Sequence, residues 1–197
     1  AHSMSPWIHA EFARQTRQDI EYRRIEAPLD GFARTVDAFR AAGGRGANVT
    51  LPFKDQACRY CANALTERAR VAGAVNTLAF ANGAASGDNT DGVGLLRDLM
   101  VNLGRAVAGA RVLVLGAGGA AQGVLAPLLE ARPGRLVVAN RTAEKARELA
   151  RRFGASAAGG FDEFKAVQFD LLINATSAGL AGQAPALAPA AFATGAL

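Results

Sequence analysis

Arg111-Val-Leu-Val-Leu115-Gly116-Ala117-Gly118-Gly119-Ala120-Ala121 decides the fold of this chain. A Val/Leu strand runs into a glycine turn, and the small residues then open an apolar helical pattern over Gly119–Ala131. That strand before and helix after turn a weak glycine pattern into a dinucleotide-binding one. Gly116 permits the tight turn, Gly118 lets the backbone approach a pyrophosphate, and Ala121 allows close packing of helix on strand. The helix N-terminus adds free N–H groups and a positive dipole end. Gly116, Ala117, Gly118, Gly119 and Ala120 are therefore the predicted phosphate contacts. Pro127 lies inside the helix and predicts a kink, and the missing Cβ at Gly123 eases its clash with the preceding turn.

Outward from this turn, a strand over Arg135–Ala139, a helix over Ala143–Phe153 and a strand over Phe169–Ile173 extend the second half as βαβ units. An NAD site places Asp or Glu at the end of the second strand, for the ribose 2′-hydroxyl. Here that strand ends in Asn140-Arg141-Thr142, with Lys145 one helical turn on. An amide and two cations suit a 2′-phosphate, which favours NADP(H). As ordinary helix-start cations, Arg141 and Lys145 would oppose the dipole and gain nothing without an anion.

Composition shifts toward Gly, Ala and Val after a helix carrying Leu95, Leu96, Leu99 and Met100, so a domain boundary is placed between residues 92 and 93. Before it, a helix begins near Pro6, a strand is predicted over Ile20–Glu26, and a helix carrying Phe32, Val36 and Phe39 ends at Gly43-Gly44. A strand over Ala47–Leu51, a helix over Asp55–Leu65 and a hairpin of Val75–Phe80 with Ala84–Asp88 around Asn82-Gly83 follow. The chain thus reads as α/β: a domain over residues 1–92 with a mainly parallel sheet, a Rossmann-like domain over 93–197, and a cleft between them. From Ala178 onward Ala, Gly and Pro dominate, which reads as loop or an incomplete unit.

Lys54 stands out chemically, because only three of the twenty-two cationic side chains are lysine. It closes Asn48-Val-Thr-Leu-Pro-Phe-Lys54, at a strand end, and a partly desolvated lysine can exchange a proton where arginine cannot. The bland alternative is a helix-start lysine. Gly87-Asp-Asn-Thr-Asp91-Gly92 packs two carboxylates, an amide and a hydroxyl between glycines, and Asp91 alone could simply cap the next helix. Lysine and aspartate converging on one hydroxyl are what alcohol–ketone interconversion needs. Ser3, Ser5, Thr50 and Asn76, before a helix or at strand ends, together describe a pocket for a polyhydroxylated ligand.

Other classes fit less well. Half the residues are apolar, which suits a globular core. Arg111, Gln122, Pro127 and several glycines interrupt the most apolar stretch, so no membrane span is expected, and the absence of a signal-peptide pattern favours the cytoplasm. Net charge is +5, but the arginines are scattered rather than gathered with aromatics, against a nucleic-acid partner. Cys58 and Cys61 form a lone C-x-x-C without the further ligands of a zinc site, and read as two half-buried thiols. The expected partner is a small molecule, with the chain a monomer or homodimer.

Seven motifs in order resemble the shikimate dehydrogenase family: Ser3-Met-Ser5-Pro-Trp-Ile-His9, Asn48–Lys54, Gly73-Ala-Val-Asn76-Thr77, Gly87–Gly92, Gly116–Ala121, Asn140-Arg-Thr142 and Asn174-Ala-Thr176-Ser177-Ala-Gly179. The resemblance implies NADPH-dependent reduction of 3-dehydroshikimate to shikimate, on the way to aromatic amino acids. By it, Ser3 and Ser5 hold the substrate carboxylate, Thr50, Asn76 and Asp91 the ring hydroxyls, and Lys54 with Asp91 forms the catalytic pair. Asn174, Thr176 and Ser177 line the nicotinamide side. Quinate or aminoshikimate relatives, and a non-catalytic NADP sensor, remain the alternatives. The family usually has a strand before the Ser-x-Ser segment. After the last motif it carries a further strand, a substrate-side tyrosine, a glutamine and returning helices. The first domain is therefore expected to lack its first strand and the second to be truncated.

Overall fold

The computed structural model describes residues 3–178 and 191–197. The chain opens with α1 (Ser5–Thr16), α2 (Phe32–Ala41), β1 (Gly46–Asn48), α3 (Lys54–Tyr60), α4 (Glu67–Ala72), β2 (Thr77–Ala81) and β3 (Ala84–Asp88). It continues through α5 (Asp91–Arg97), which runs into a π-helical turn at Asp98–Asn102, then β4 (Arg111–Leu115) and α6 (Gly119–Glu130). β5 (Arg135–Ala139), α7 (Ala143–Phe153), β6 (Ala157–Gly159) and β7 (Leu171–Asn174) complete the strands and α-helices among the described residues.

β4 to β7 form a parallel sheet in the order β6-β5-β4-β7. Alternate residues of its central strands feed two cores. Val112, Val114, Leu136 and Val138 pack with Val124, Leu125 and Leu128 of α6 and Leu149 of α7. Leu113, Leu115, Val137 and Ala139 pack on the other face with Phe164 and Phe169. Coverage of both faces explains why these strands are continuously apolar rather than alternating. Leu99, with Leu95 and Leu96 against it, joins the first of these cores, so the helix after Asp91 packs on the dinucleotide-type unit. α6 runs through Pro127 without a break in the helix.

The first half departs from expectation in the sense of its sheet. β1, β2 and β3 are antiparallel, not mainly parallel. Two returns cause this. Asn82 and Gly83 both take positive φ (51° and 74°), which closes a two-residue hairpin between β2 and β3. Between β1 and β2 the chain passes through two short helices but returns to the end it left, where the Val49 N–H donates to the Asn76 carbonyl. Alternating helix and strand patterns imply a parallel sheet only when the crossover carries the chain back to the starting end.

The predicted strand over Ile20–Glu26 does not form; this stretch has no regular secondary structure. Its side chains suit a strand, but a strand requires a neighbour in ladder register, which side-chain pattern alone does not supply. Ile20 and Ile25 are exposed, and Tyr22 instead stacks on His9 (centroids 4.0 Å apart) and donates its hydroxyl to the Asn48 side chain. Phe32, Val36, Val49, Ala57, Cys61, Ala69, Val75 and Leu78 make this half's core. At the other end, residues 191–197 are not plain loop: the Leu172 N–H donates to the Leu197 carbonyl and the Leu197 N–H to the Asp170 carbonyl, while the Phe169 N–H donates to the Ala191 carbonyl and the Phe169 carbonyl accepts from the Ala193 N–H.

Candidate functional site

Lys54 opens α3 immediately after a turn whose Leu51–Pro52 peptide is cis. Its backbone is tied in, since the Val75 N–H donates to the Lys54 carbonyl, and the adjoining Asn76 N–H donates to the Asp88 carbonyl. The start of β2 and the end of β3 therefore lie beside the start of α3, and this brings three distant motifs together. Lys54 Nζ donates to Asp91 Oδ2 at 2.7 Å, with the two side chains 12% and 25% exposed. Asn76 Nδ2 donates to the other carboxylate oxygen at 2.7 Å and to Thr90 Oγ1 at 3.0 Å. The Asn76 oxygen accepts from the Thr90 N–H and from Thr77 Oγ1. Asn76 thus orients Asp91.

Ser3 and Ser5 sit at the N-terminus of α1, where Ser3 Oγ donates to Ser5 Oγ and accepts from the Ser5 N–H. A relay fixes this end against β1. His9 Nδ1 lies 2.8 Å from the Ser5 carbonyl, and its ring stacks on Tyr22, which bonds Asn48 two residues before Thr50. Thr50 is exposed and its carbonyl accepts from the Phe53 N–H. Among the described residues, no hydrogen bond joins Ser3, Ser5 or Thr50 to the Lys54–Asp91 cluster. Tyr22 was missed in the sequence, because a tyrosine in an apparent strand reads as ordinary sheet surface.

The glycine turn meets the cluster directly. Gly116 takes φ +110°, and a Cβ there would lie 2.8 Å from the Ala175 carbonyl oxygen, so only glycine fits. Around Gly118 the space is open. A Cβ on Gly119 would come within 3.1 Å of the Lys54 Cβ, so the first turn of α6, with Ala117 and Ala120 on either side, abuts the lysine. On β7, the Asn174 side chain accepts from the Thr176 N–H and hydroxyl, and Ser177 follows. Gly179, the last residue of that motif, lies outside the described residues.

At the end of β5, Asn140 Nδ2 donates to the Thr142 carbonyl, shaping the turn into α7. The cations of α7 then divide. Arg147 pairs with Glu144 and Glu163, and Arg151 with Glu144. Arg141 and Lys145 are exposed and have no ion pair among the described residues. An open turn, a helix N-terminus and two unpaired cations fit the diphosphate and 2′-phosphate of NADP(H).

Other features fall outside this cluster. Arg68 with Thr66 and the Asn89 N–H holds Asp88 down to about 2, so this neighbour of the site is a fixed anion. Burial pushes both the Cys58 and Cys61 thiols up, which opposes reactivity. A hollow of about 600 Å³ does not have Lys54 in its lining, and Arg40 on its wall is already bound to Tyr60 and the Gly83 carbonyl. Among the described residues no helix is long and apolar enough to cross a membrane, and no acidic, His or Cys cluster would hold a metal.

Residues 1–78 match the family described as the shikimate dehydrogenase substrate binding domain, and residues 99–181 that described as shikimate / quinate 5-dehydrogenase. Shikimate dehydrogenase (NADP(+)) of Nitrosospira multiformis is 56% identical over 196 residues, 98% of this chain and 71% of that protein. The chain belongs to the shikimate dehydrogenase family. A second relative of the same name, from Janthinobacterium, is 55% identical over 98% of this chain and 71% of its own length. Among solved structures, shikimate 5-dehydrogenase of Thermus thermophilus in complex with NADP(H) and shikimate superposes with a TM-score of 0.86. It is 34% identical, over 99% of this chain and 72% of that one. The family's two-unit α/β architecture is the one built here around the antiparallel and parallel sheets.

Proposed function

We propose that this chain reversibly reduces 3-dehydroshikimate to shikimate with NADPH, as a cytoplasmic enzyme. In this reading, residues 1–92 hold the substrate and residues 93–197 the cofactor. One observation carries the proposal: Lys54, hydrogen-bonded to Asp91 at 2.7 Å, lays its stem against Gly119 at the start of the phosphate-turn helix. A proton carrier and a dinucleotide's landing place are adjacent, as ketone reduction requires.

Bound NADPH supplies the hydride that reduces the carbonyl carbon. Every other task falls to the chain's own backbone and side chains. The backbone N–H groups from Gly118 to Ala120 and the cations Arg141 and Lys145 hold the phosphates, with Asn140 and Thr142 shaping that end. Asn174, Thr176 and Ser177 flank the nicotinamide side. Ser3 and Ser5 receive the substrate carboxylate, and Thr50 and Asn76 its ring hydroxyls. Lys54 gives its proton to the oxygen as the carbon–hydrogen bond forms, leaving a hydroxyl, and takes it back in the oxidative direction. Asp91 keeps the ammonium in place with one oxygen while Asn76 grips the other.

Following nucleotide reduction at 340 nm decides this. Shikimate with NADP⁺ should turn over well above quinate or NAD⁺ pairings, and Lys54→Ala should abolish turnover while NADP⁺ still binds. Faster turnover of quinate would move the substrate assignment from shikimate to quinate. Binding of NADP⁺ without any turnover would support a sensor instead.

A further inference from the structure

We infer that Gly123 and Asn89 are positioning residues that seat the Asp91 carboxylate against Lys54, making the flank of the phosphate-turn helix a template for the proton-transfer pair. This rests on the function proposed for that pair. Asn89 is 3% exposed and is the one buried polar residue among those described. Both ends of its amide are engaged: Nδ2 donates to the Ala74 carbonyl at 3.0 Å, and Oδ1 accepts from the Asp91 N–H at 3.1 Å. Its side chain therefore fixes the backbone from which Asp91 projects.

Gly123, one turn into α6, supplies the surface on which this rests. A Cβ there would lie 2.8 Å from Asn89 Oδ1, 2.9 Å from Nδ2 and 3.0 Å from Asp91 Oδ2. Such overlaps are harmless when the neighbour can swing away. Here neither can without loss, since Asn89 is bound at both ends and both Asp91 oxygens are taken by Lys54 and Asn76. The approach continues at the next residue, where a Cβ on Gly92 would meet Pro127 Cγ at 2.5 Å and the Gly123 carbonyl oxygen at 2.6 Å. Pro127 has no N–H to offer that carbonyl, so α6 presents bare backbone to the start of α5. Glycine is a poor residue for a helix interior, so its presence at 123 calls for a tertiary reason, and this contact is one.

Simple packing would produce the same glycine, so the experiment separates packing from positioning. Gly123→Ala and Asn89→Ala, singly and together, are compared in crystal structures, melting and shikimate oxidation by NADP⁺. Positioning predicts that Gly123→Ala breaks the 2.7 Å Lys54–Asp91 bond. It also predicts that kcat falls about 10- to 100-fold with the KM for NADP⁺ within about 3-fold, as expected for a misplaced catalytic group. Because both residues act on one carboxylate, the double variant should be no slower than the slower single one. An intact bond in Gly123→Ala, with kcat within about 3-fold of wild type and only the melting temperature changed, would overturn the inference. So would strictly additive losses. Should Gly123→Ala not fold, the Asn89→Ala structure decides by the same bond. A wild-type chain that fails to oxidise shikimate refutes the proposed function, whereas the crystallographic bond still tests the seating of Asp91.

Discussion

Replacing Lys54 by alanine tests the chemistry most directly, and its size follows from the local geometry. The ammonium is 12% exposed and 2.7 Å from Asp91 Oδ2, so truncation leaves a small hollow beside a carboxylate that keeps its bond to Asn76. Water can reach Asp91, whose side chain is 25% exposed, and the stability cost is accordingly about 1–2 kcal/mol, below the cost of orphaning a fully buried charge. For a chain of this size, that lowers the melting temperature by about 2–8 °C. Turnover suffers more. Loss of a positioned acid–base group costs about 10²- to 10⁴-fold in kcat, or roughly 3–5 kcal/mol at the barrier. NADP⁺ affinity should stay within about 3-fold, because only the lysine stem touches the Gly119 turn. Steady-state kinetics at saturating shikimate, fluorescence titration with NADP⁺ and a melting curve give all three numbers. A kcat within a few-fold of wild type, or an affinity loss that accounts for the whole rate change, would refute the argument.

Arg141→Ala with Lys145→Ala should weaken NADP⁺ about 10- to 100-fold and leave NAD⁺ nearly unchanged, since only the former carries the 2′-phosphate; isothermal titration with both nucleotides checks it, and equal losses would sink the assignment. Gly116→Ala forces a side chain into φ +110° and against the Ala175 carbonyl, so urea unfolding should show a loss of about 1–3 kcal/mol together with impaired nucleotide binding. Acid should destabilise the chain in a defined window. Asp88, held by Arg68, and Asp170, held by Arg111, are both lowered to about 2. The unfolded chain therefore binds their protons more tightly, and the stabilisation present above about pH 4 is lost as pH falls toward about 2. Urea midpoints from pH 5 to 2 should fall along that window and less steeply in Arg68→Gln; an unchanged slope would show that the Arg68–Asp88 pair contributes nothing.

Much of the second half was legible because its information is local. The strand over residues 111–115 and the helix start at Gly119 coincide with expectation, since strand, turn and helix follow one another within a dozen residues. That Arg141 and Lys145 stand at the start of α7 was readable for the same reason: charge at one helix end is set by adjacent positions. Less was legible in the first half. The residues 20–26 carry strand-type side chains yet pair with no strand, and the helix predicted to Leu65 ends at Tyr60. The seam from Asn89 to Gly123 was invisible, because nothing in either motif announces that an amide and a helix glycine thirty-odd positions apart will touch.

By itself the sequence determined the glycine turn between a strand and a helix, the two cations Arg141 and Lys145 at the next helix start, and the residue types able to move a proton, because each depends on sterics and charge over a few neighbouring positions. Tertiary structure alone decided that β1 runs antiparallel to β2, which follows from where the chain returns after α4. It alone joined Lys54, Asn76 and Asp91 into one hydrogen-bonded group and laid that group on α6. Those contacts are between residues far apart in the chain, and their energies exist only once loops have closed and the cores have packed.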